Sequence, residues 1–148
     1  MEDAMLLWAW ANDPETRRNA FTKAPIPYET HVAWLQGRLA SDATRLLIFT
    51  DAEGPVGQVR FDVDADVVEV SIVVAPERRG CGHGRAMLTE AVGALRAERG
   101  PHVRPRAAVL GHNARSLALF RACGFVPVGV EGRHGQEAIL LELCREEV

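Results

Sequence analysis

The side chains best suited to chemistry lie in residues 70–88, which read VSIVVAPERRGCGHGRAML. A β-branched run ends at Pro76, Arg78 and Arg79 follow, and an apolar stripe at helical spacing comes next. Three glycines alternate between the arginines and this stripe: Gly80, Gly82 and Gly84. Glycine lets the backbone turn so that successive N–H groups point into one hollow, and a following helix adds the positive end of its dipole. The stretch therefore predicts a binding site for an anion, most simply a diphosphate.

Two other phosphate-binding loops also use glycines, but with different spacing. A Walker loop needs a lysine and then Ser or Thr after its last glycine, whereas Arg85 and Ala86 follow Gly84 here, which excludes it. A dinucleotide fingerprint needs G-x-G-x-x-G and an acidic end to the next strand. This loop is G-x-G-x-G and the next strand ends in Gly111 and His112, so that match is weak. A plain glycine-rich turn before a helix stays open as an alternative.

A second motif lies downstream of the glycine loop, and the two motifs together resemble those of a known superfamily. Residues 79–84 fit R-x-x-G-x-G, and residues 113–125, NARSLALFRACGF, fit N-x-x-(A/S)-x-x-L-(Y/F)-x-x-x-G-F. The two motifs resemble the signatures of the GNAT superfamily of acetyl-CoA-dependent N-acetyltransferases, at the separation which that family uses. Residues 10–17, 31–34 and 56–62 resemble, more loosely, the subgroup that acetylates amino groups on nucleotide-linked sugars, as in bacterial pseudaminic acid synthesis.

The hydrophobic periodicity predicts the element order α-α-β-β-β-α-β-α-β-β and a mixed α/β (α+β) class. Asp3 is expected to cap the first helix. Residues 28–39 are expected to form a helix with Trp34 and Leu39 on its inner side, and residues 46–49 a buried strand. The resemblance implies a single GNAT domain over residues 1–148, with a mostly antiparallel sheet, helices on both faces and strands splayed at the acetyl-CoA site. The family usually opens with a strand before the first helix. Either the true start lies further upstream, or the fold lacks that strand and leaves a sheet edge that a homodimer partner could cover.

By resemblance, the pantetheine arm of acetyl-CoA pairs with a strand backbone, and the diphosphate lies on the glycine loop. The residues implied are Ile72, Val73, Val74, Arg79, Gly80, Cys81, Gly82, His83, Gly84, Arg85, Asn113, Ser116 and Phe120. A Cβ on Gly82 or Gly84 would occupy the space of the phosphates or demand a forbidden φ. Asn113 can also cap a helix that Gly124 ends.

Acetyl transfer needs a proton acceptor for the attacking amine and a proton for the departing thiolate. By resemblance, Glu69 relays the amine proton through water; the alternative is a solvated charge near a strand end. His112 is a second candidate, because an imidazole titrates near neutral pH. Many members have a tyrosine at the position of Phe120 that protonates the thiolate. Phe120 has no such proton, but a thiol of pKa about 8.5 leaves with little help, so no general acid is predicted.

The acceptor amine is expected at residues 8–34 and 132–135, the stretches with the least motif content. Six side chains are candidates for binding it: Trp8, Asn12, Tyr28, His31, Trp34 and Arg60. The preferred acceptor is an amino sugar linked to a nucleotide, and a peptide N-terminus or another small amine is the alternative. A third hypothesis is a coenzyme A-binding module without catalysis, because Phe120 replaces the usual tyrosine.

The composition of the chain indicates which binding partners and which cellular location to expect. The chain has 17 basic and 20 acidic residues and a formal charge of −3, so nothing favours nucleic acid or an anionic membrane surface. Three separated cysteines, none in a C-x-x-C pair, favour a reducing cytoplasm and argue against structural zinc, and no metal is expected. The N-terminus lacks a basic region, and no apolar run reaches the roughly 18 residues of a membrane helix. We therefore expect a cytoplasmic protein without a membrane span.

Overall fold

A computed structural model of the chain describes residues 3–65 and 67–144. The chain begins with three helices: α1 (Ala4–Ala11), α2 (Pro14–Arg18) and α3 (Tyr28–Leu39). Three strands follow: β1 (Thr44–Asp51), β2 (Gly54–Asp64) and β3 (Val67–Val74). After a short 3-10 turn come α4 (His83–Arg99), β4 (Pro105–Leu110), α5 (Ala114–Ala122), β5 (Phe125–Arg133) and β6 (Gln136–Leu143). This order agrees with the predicted one, apart from the short helix α2, which the sequence pattern did not predict.

The six strands of the described residues form one sheet in the order β1-β2-β3-β4-β6-β5. Neighbouring strands are antiparallel except for β3 and β4, which run parallel. Within the described residues, these two strands pair only at Val68 with Pro105 and at Glu69 with Arg106, and then they separate. The prediction of a mixed, mostly antiparallel sheet with splayed strands is confirmed.

Side chains of β3 alternate between two apolar cores, one on each face of the sheet. Val70 lies in the larger core with Phe61 and Leu88, and α4 and α5 cover this core. Val73 packs on the smaller core, which α1 and α3 form around Leu35. Helices therefore cover both faces of the sheet, as predicted.

Three local predictions need correction. On α3 the side chains of Trp34 and Leu39 are 36% and 51% exposed, whereas His31 and Leu35 are buried. The strand β1 is only half-buried, because it lies at one edge of the sheet. Asp3 makes no side-chain cap to α1 among the described residues; its carbonyl oxygen accepts from the N–H of the fourth residue on, as in a helical turn.

Candidate functional site

The gap between β3 and β4 is lined by backbone groups of β3. The N–H of Ala75 donates to Val56 O at 2.8 Å, toward β2. Successive residues of a strand aim their N–H and C=O groups at alternate edges, so those of Ile72 and Val74 face the gap. An extended ligand can pair there like an added strand. Both residues thus fit their predicted role, while the side chain of Val73 packs toward α1 and α3.

The glycine loop follows the end of β3. Gly80 and Gly82 both have a φ of +80°, in the left-handed region that favours glycine. Gly82 is also the N-cap of α4 and has no side chain to offer, so the N–H groups of the first turn of α4 keep their hydrogen-bonding capacity. A Cβ on Gly82 would meet no protein atom within 4 Å. The loop therefore leaves room for an anion beside the start of a helix.

Gly84 has a packing role in addition to the predicted one. It lies in the first turn of α4, where a Cβ would be 3.2 Å from Leu119 Cδ2 and 3.4 Å from Val74 Cγ2. Carbon atoms prefer separations of about 3.5–4.0 Å. The first obstacle to a side chain at Gly84 is therefore protein, because α4 packs closely on α5 and β3 at this point.

Arg79, the first residue of the loop motif, is held by α2. Its Nη2 donates to Asp13 Oδ2 at 2.8 Å, and its Nη1 donates to Glu15 Oε2 at 2.9 Å. Asp13 also caps α2 by accepting from the N–H of Thr16 at 3.2 Å. Burial opposes ionisation of Asp13, but hydrogen bonds from Arg79 and Thr16 hold the pKa of this carboxyl below its usual value. The structure thus places the predicted phosphate-loop arginine against two carboxylates.

The adjacent Arg78 binds a different element. It donates to both carboxylate oxygens of Asp51, the last residue of β1, at 2.7 and 2.8 Å. These hydrogen bonds lower the pKa of Asp51 to about 2. The two arginines therefore anchor the loop to two separate parts of the chain, Arg78 to the β1–β2 turn and Arg79 to α2.

The second motif spans α5 from its N-cap to the glycine after its end, as predicted. Asn113 Oδ1 accepts from the N–H of Ser116 at 3.2 Å and caps the helix. Gly124 follows the end of the helix with a φ of +92°. Phe120 is only 3% exposed, and its ring centroid lies 5.0 Å from that of Phe125. The ring that stands at the position of the family's tyrosine is therefore a core residue in this structure.

Glu69 lies where β3 and β4 begin to separate, and it is paired with an arginine. Arg133 Nη1 donates to Glu69 Oε1 at 2.5 Å, and Arg133 Nε donates to Glu131 Oε2 at 2.7 Å. The side chain of Glu69 is 35% exposed. The candidate base is therefore open to solvent, and an acceptor ammonium would share it with Arg133 or displace that guanidinium.

Arg133 ends β5, at the tip of a hairpin that docks on the connector between α2 and α3. Gln136 Nε2 donates to Phe21 O at 2.6 Å, and Lys23 Nζ donates to Gln136 Oε1 at 2.9 Å. The Arg133 guanidinium lies 5.6 Å from the ring centroid of Phe21, at cation–π distance. The hairpin tip and the connector are thus joined by contacts that include the partner of Glu69.

His112, the alternative base, is tied to α2. Its Nε2 lies 3.3 Å from the carbonyl oxygen of Arg18, and its side chain is exposed. Among the described residues it makes no hydrogen bond to Glu69. The structure therefore gives the two candidate bases different direct partners.

Three of the six acceptor candidates hold the connector in place. Trp8 Nε1 donates to Ile26 O at 2.7 Å. Asn12 Nδ2 donates to the same carbonyl at 3.1 Å, and Asn12 Oδ1 accepts from the N–H of Ile26 at 2.7 Å. Tyr28 packs edge-on against Trp8 with ring centroids 5.5 Å apart. The polar atoms of Trp8 and Asn12 are occupied by backbone, which fits positioning of the connector better than direct contact with a substrate.

The other three candidates are His31 and Trp34 on α3 and Arg60 on β2. The Arg60 guanidinium is 4.8 Å from the ring centroid of Trp34 and donates to Ser71 Oγ at 3.3 Å. Arg60 pairs with Ser71 across β2 and β3, two residues from Glu69, so these side chains share one face of the sheet. His31 is 6% exposed, and burial lowers its pKa. Arg60 and Trp34 therefore stay available as acceptor contacts, whereas His31 is inside the fold.

Sequence patterns did not single out Arg133, the partner of Glu69, nor Lys23 and Gln136, which join the connector to the hairpin tip. The available signal was the position of Arg133 in residues 132–135, a stretch that we expect to contact the acceptor. Its pairing with Glu69 depends on the strand order, since β4 and β6 lie between β3 and β5.

Two further observations concern the described residues. They contain no group of three or more His, Cys, Asp or Glu side chains that could hold a metal ion. Within the same part of the chain, no helix has the length and apolar character needed to cross a membrane.

Comparison with known proteins identifies a family that matches the chain and solved structures with a similar fold. Residues 1–126 match the family described as acetyltransferase (GNAT) domain. No curated protein matches the chain. Spermidine N-acetyltransferase from Vibrio cholerae, in complex with CoA and spermine, is similar at 19% identity and a TM-score of 0.84, over 97% of this chain and 90% of that one.

Two other solved structures are also similar. Ribosomal-protein-alanine N-acetyltransferase from Brucella melitensis has 25% identity and a TM-score of 0.79, over 97% of this chain and 94% of that one. An aminoglycoside acetyltransferase in complex with coenzyme A has 15% identity and a TM-score of 0.80, over 97% and 90%. At 15% and 19% identity, such likeness shows the fold alone.

Proposed function

Because the chain belongs to the GNAT family of acetyl-CoA-dependent N-acetyltransferases, whose domain matches residues 1–126, we propose that its acceptor is the primary amine of an amino sugar. The amine attacks the thioester directly in a ternary complex, and the preferred acceptor carries a nucleotide. A peptide N-terminus or another small-molecule amine is the alternative acceptor.

The observation that carries the proposal is the position of Glu69 at the closed end of the gap between β3 and β4. The gap opens from there along the backbone of Ile72 and Val74, and the glycine loop follows the end of β3. A thioester whose arm pairs with β3 and whose diphosphate lies on Gly80–Gly84 amides would bring its carbonyl toward Glu69. Positioning of this kind supplies much of the rate of a two-substrate transfer.

In this proposal the residues of the gap hold and deprotonate the reactants. Glu69 accepts a proton from the amine through water, which leaves a neutral nucleophile. The N–C bond forms as the C–S bond breaks, and the thiolate leaves without an acid, because Phe120 is buried and has no proton to donate. Backbone N–H groups that face the gap would stabilise the oxyanion.

The charge pattern of this face favours an amino sugar over a polycation. Asp62 accepts from Arg60 at 2.8 Å and from Arg38 at 3.3 Å, and Glu69 accepts from Arg133. Each of these carboxylates already has a guanidinium partner, which repels a second cation, so they attract the additional ammonium groups of a polyamine less than free carboxylates would. The same ion pairs engage Arg60 and Arg133, but each guanidinium has five N–H donors. Among the described residues, Arg60 Nη1 and Arg133 Nη2 make no hydrogen bond. These donors and the exposed ring of Trp34 suit a hydroxyl-rich sugar and a phosphate.

The test measures release of coenzyme A thiol when acetyl-CoA is mixed with a panel of amines. A UDP-linked amino sugar, spermidine, a peptide with N-terminal alanine and an aminoglycoside form the panel. We expect the highest kcat/KM with the UDP-linked amino sugar and a loss of activity in Glu69→Gln. A preference for spermidine would overturn the acceptor class. Coenzyme A binding without thiol release from any amine would favour the non-catalytic module.

Cytoplasmic location and homodimerisation belong to the same proposal. The three cysteines are unpaired, and Cys81 and Cys144 are exposed, which suits a reducing compartment. The strand β1 ends the sheet of the described residues, and an edge strand is a natural contact for a second copy. Light scattering of the purified chain at several concentrations tests the dimer.

A further inference from the structure

The side chain of Arg79 makes contacts within the protein that a residue whose only role is to bind phosphate would not need. Its guanidinium donates to Asp13 at 2.8 Å, to Glu15 at 2.9 Å and to Thr16 Oγ1 at 3.2 Å. The side chains of Arg79 and Asp13 are 18% and 14% exposed. A pair shielded from water to this degree is screened less by salt than a surface pair. Both terminal nitrogens of Arg79 therefore donate to side chains at the start of α2.

These contacts lie on the first turn of α2. Asp13 is the N-cap of this helix, and the same oxygen, Oδ2, accepts from Arg79 Nη2 and from the N–H of Thr16. Arg115 of α5 also approaches Glu15, at 3.4 Å, but its side chain is 62% exposed, and such contacts contribute little. Among the described residues, Arg79 is the loop residue whose side chain binds the start of α2.

From α2 a series of contacts leads to the candidate base. The connector that follows α2 carries Phe21 and Lys23, which are joined to Gln136 by hydrogen bonds of 2.6 and 2.9 Å. Gln136 pairs with Arg133 across the hairpin, and Arg133 donates to Glu69. The glycine loop and Glu69 are thus connected through α2, the connector and the hairpin tip.

We propose that Arg79 is a positioning residue that couples coenzyme binding to the ordering of α2 and the connector, and thereby to the acceptor side of the site. The proposal rests on the coenzyme site described above. A diphosphate held by the loop amides stabilises the conformation in which Gly80 and Gly82 have a φ of +80°. In that conformation Arg79 reaches α2, so coenzyme binding also stabilises the elements that Arg79 holds.

Hydrogen exchange measured with and without coenzyme A tests this coupling. In the unsubstituted chain, coenzyme A should slow exchange both in residues 79–86 and in residues 15–24. In Arg79→Met, which keeps an unbranched stem, it should slow only residues 79–86, with coenzyme affinity within about threefold of the original. If Arg79 only stabilised α2, Arg79→Met would speed exchange in α2 by the same factor with and without coenzyme A. Coenzyme A would then still slow exchange in residues 15–24 of that variant.

Two further variants sharpen the test. Arg78→Met changes the adjacent arginine, whose partner is Asp51, and should leave the slowing of residues 15–24 intact. Asp13→Asn keeps a side chain that caps helices well but loses the charge that faces Arg79, and should weaken that slowing. We expect the slowing of residues 15–24 by coenzyme A to be reduced in Asp13→Asn, as in Arg79→Met, and to be unchanged in Arg78→Met.

Three results would overturn the inference. One is continued slowing of residues 15–24 by coenzyme A in Arg79→Met. Another is a loss of coenzyme affinity of more than about threefold in Arg79→Met, which would make Arg79 a phosphate ligand. The third is slowing of residues 79–86 without residues 15–24 in the unsubstituted chain. Absence of slowing in residues 79–86 would instead overturn the coenzyme site, and the inference with it.

Discussion

Arg133 Nη1 lies 2.5 Å from Glu69 Oε1, although two strands, β4 and β6, separate their own strands in the sheet. The Arg133 guanidinium therefore contacts the candidate base although β5 is not adjacent to β3 in the sheet. It also donates to Glu131, and the hairpin tip is held by the connector after α2. Glu69, the proton acceptor of the proposed reaction, is thus positioned by the hairpin tip and the connector, which are expected to contact the amine substrate.

Glu69→Gln should lower turnover by roughly 10²-fold with little change in coenzyme A affinity, because glutamine keeps the size of the side chain but loses its basicity. The matched control is Glu131→Gln, which removes the other carboxylate partner of Arg133 and should retain most activity. Steady-state kinetics from pH 6 to 9 and calorimetric binding of coenzyme A measure the two effects. Near-normal turnover of Glu69→Gln at every pH would make Glu69 structural, and His112 would be tested next.

Gly82→Ala should weaken coenzyme A binding by about tenfold. Its Cβ meets no protein atom, but alanine disfavours a φ of +80° by roughly 1–2 kcal/mol, so the loop relaxes and binding must restore it. Gly93→Ala in α4 also adds a methyl group in open space, and in a helix interior it should raise the free energy of unfolding by about 0.5–1 kcal/mol. Calorimetry and denaturant unfolding compare the two. Unchanged coenzyme affinity in a folded Gly82→Ala protein would remove the support for the loop as diphosphate site.

Phe120→Tyr should leave turnover unchanged or lower. The ring is 3% exposed and packs against Phe125, so a hydroxyl buried there without a partner costs about 1–3 kcal/mol. Thermal unfolding and turnover above pH 8 are the measurements, since free thiolate would persist at that pH if its protonation limited the rate. A several-fold rise in turnover would show that the enzyme lacks an acid that it can use.

His31 should make the protein less stable in mild acid. Burial lowers its pKa, and its Nε2 has no hydrogen-bond partner among the described residues. The unfolded chain, with a histidine pKa near 6.5, then binds the proton more readily, so stability falls as the pH drops below about 6.5. His31→Leu removes this dependence. The difference in Tm between pH 8 and pH 5.5 should be smaller in His31→Leu than in the unsubstituted chain, and an equal difference would contradict the assignment.

Much of the fold followed from local patterns. The period-2 alternation of β3 predicted two faces, and the structure places Val70 and Val73 in separate cores. The cap at Asn113 and the glycines with positive φ also depend on neighbours close in the chain. The predicted burial of Trp34 was wrong, because helical spacing gives the direction of a side chain but not how much of the sheet covers it.

The sequence by itself determined the family, the glycine loop and the strand β3 that borders the gap, because each depends on residue types at fixed short spacing. The tertiary structure alone decided which charges meet. Arg79 and Asp13 are 66 positions apart, and Arg133 and Glu69 are 64 positions apart. Such pairs depend on the order of strands and the docking of α2, and an arginine is compatible with any carboxylate that the fold brings within reach.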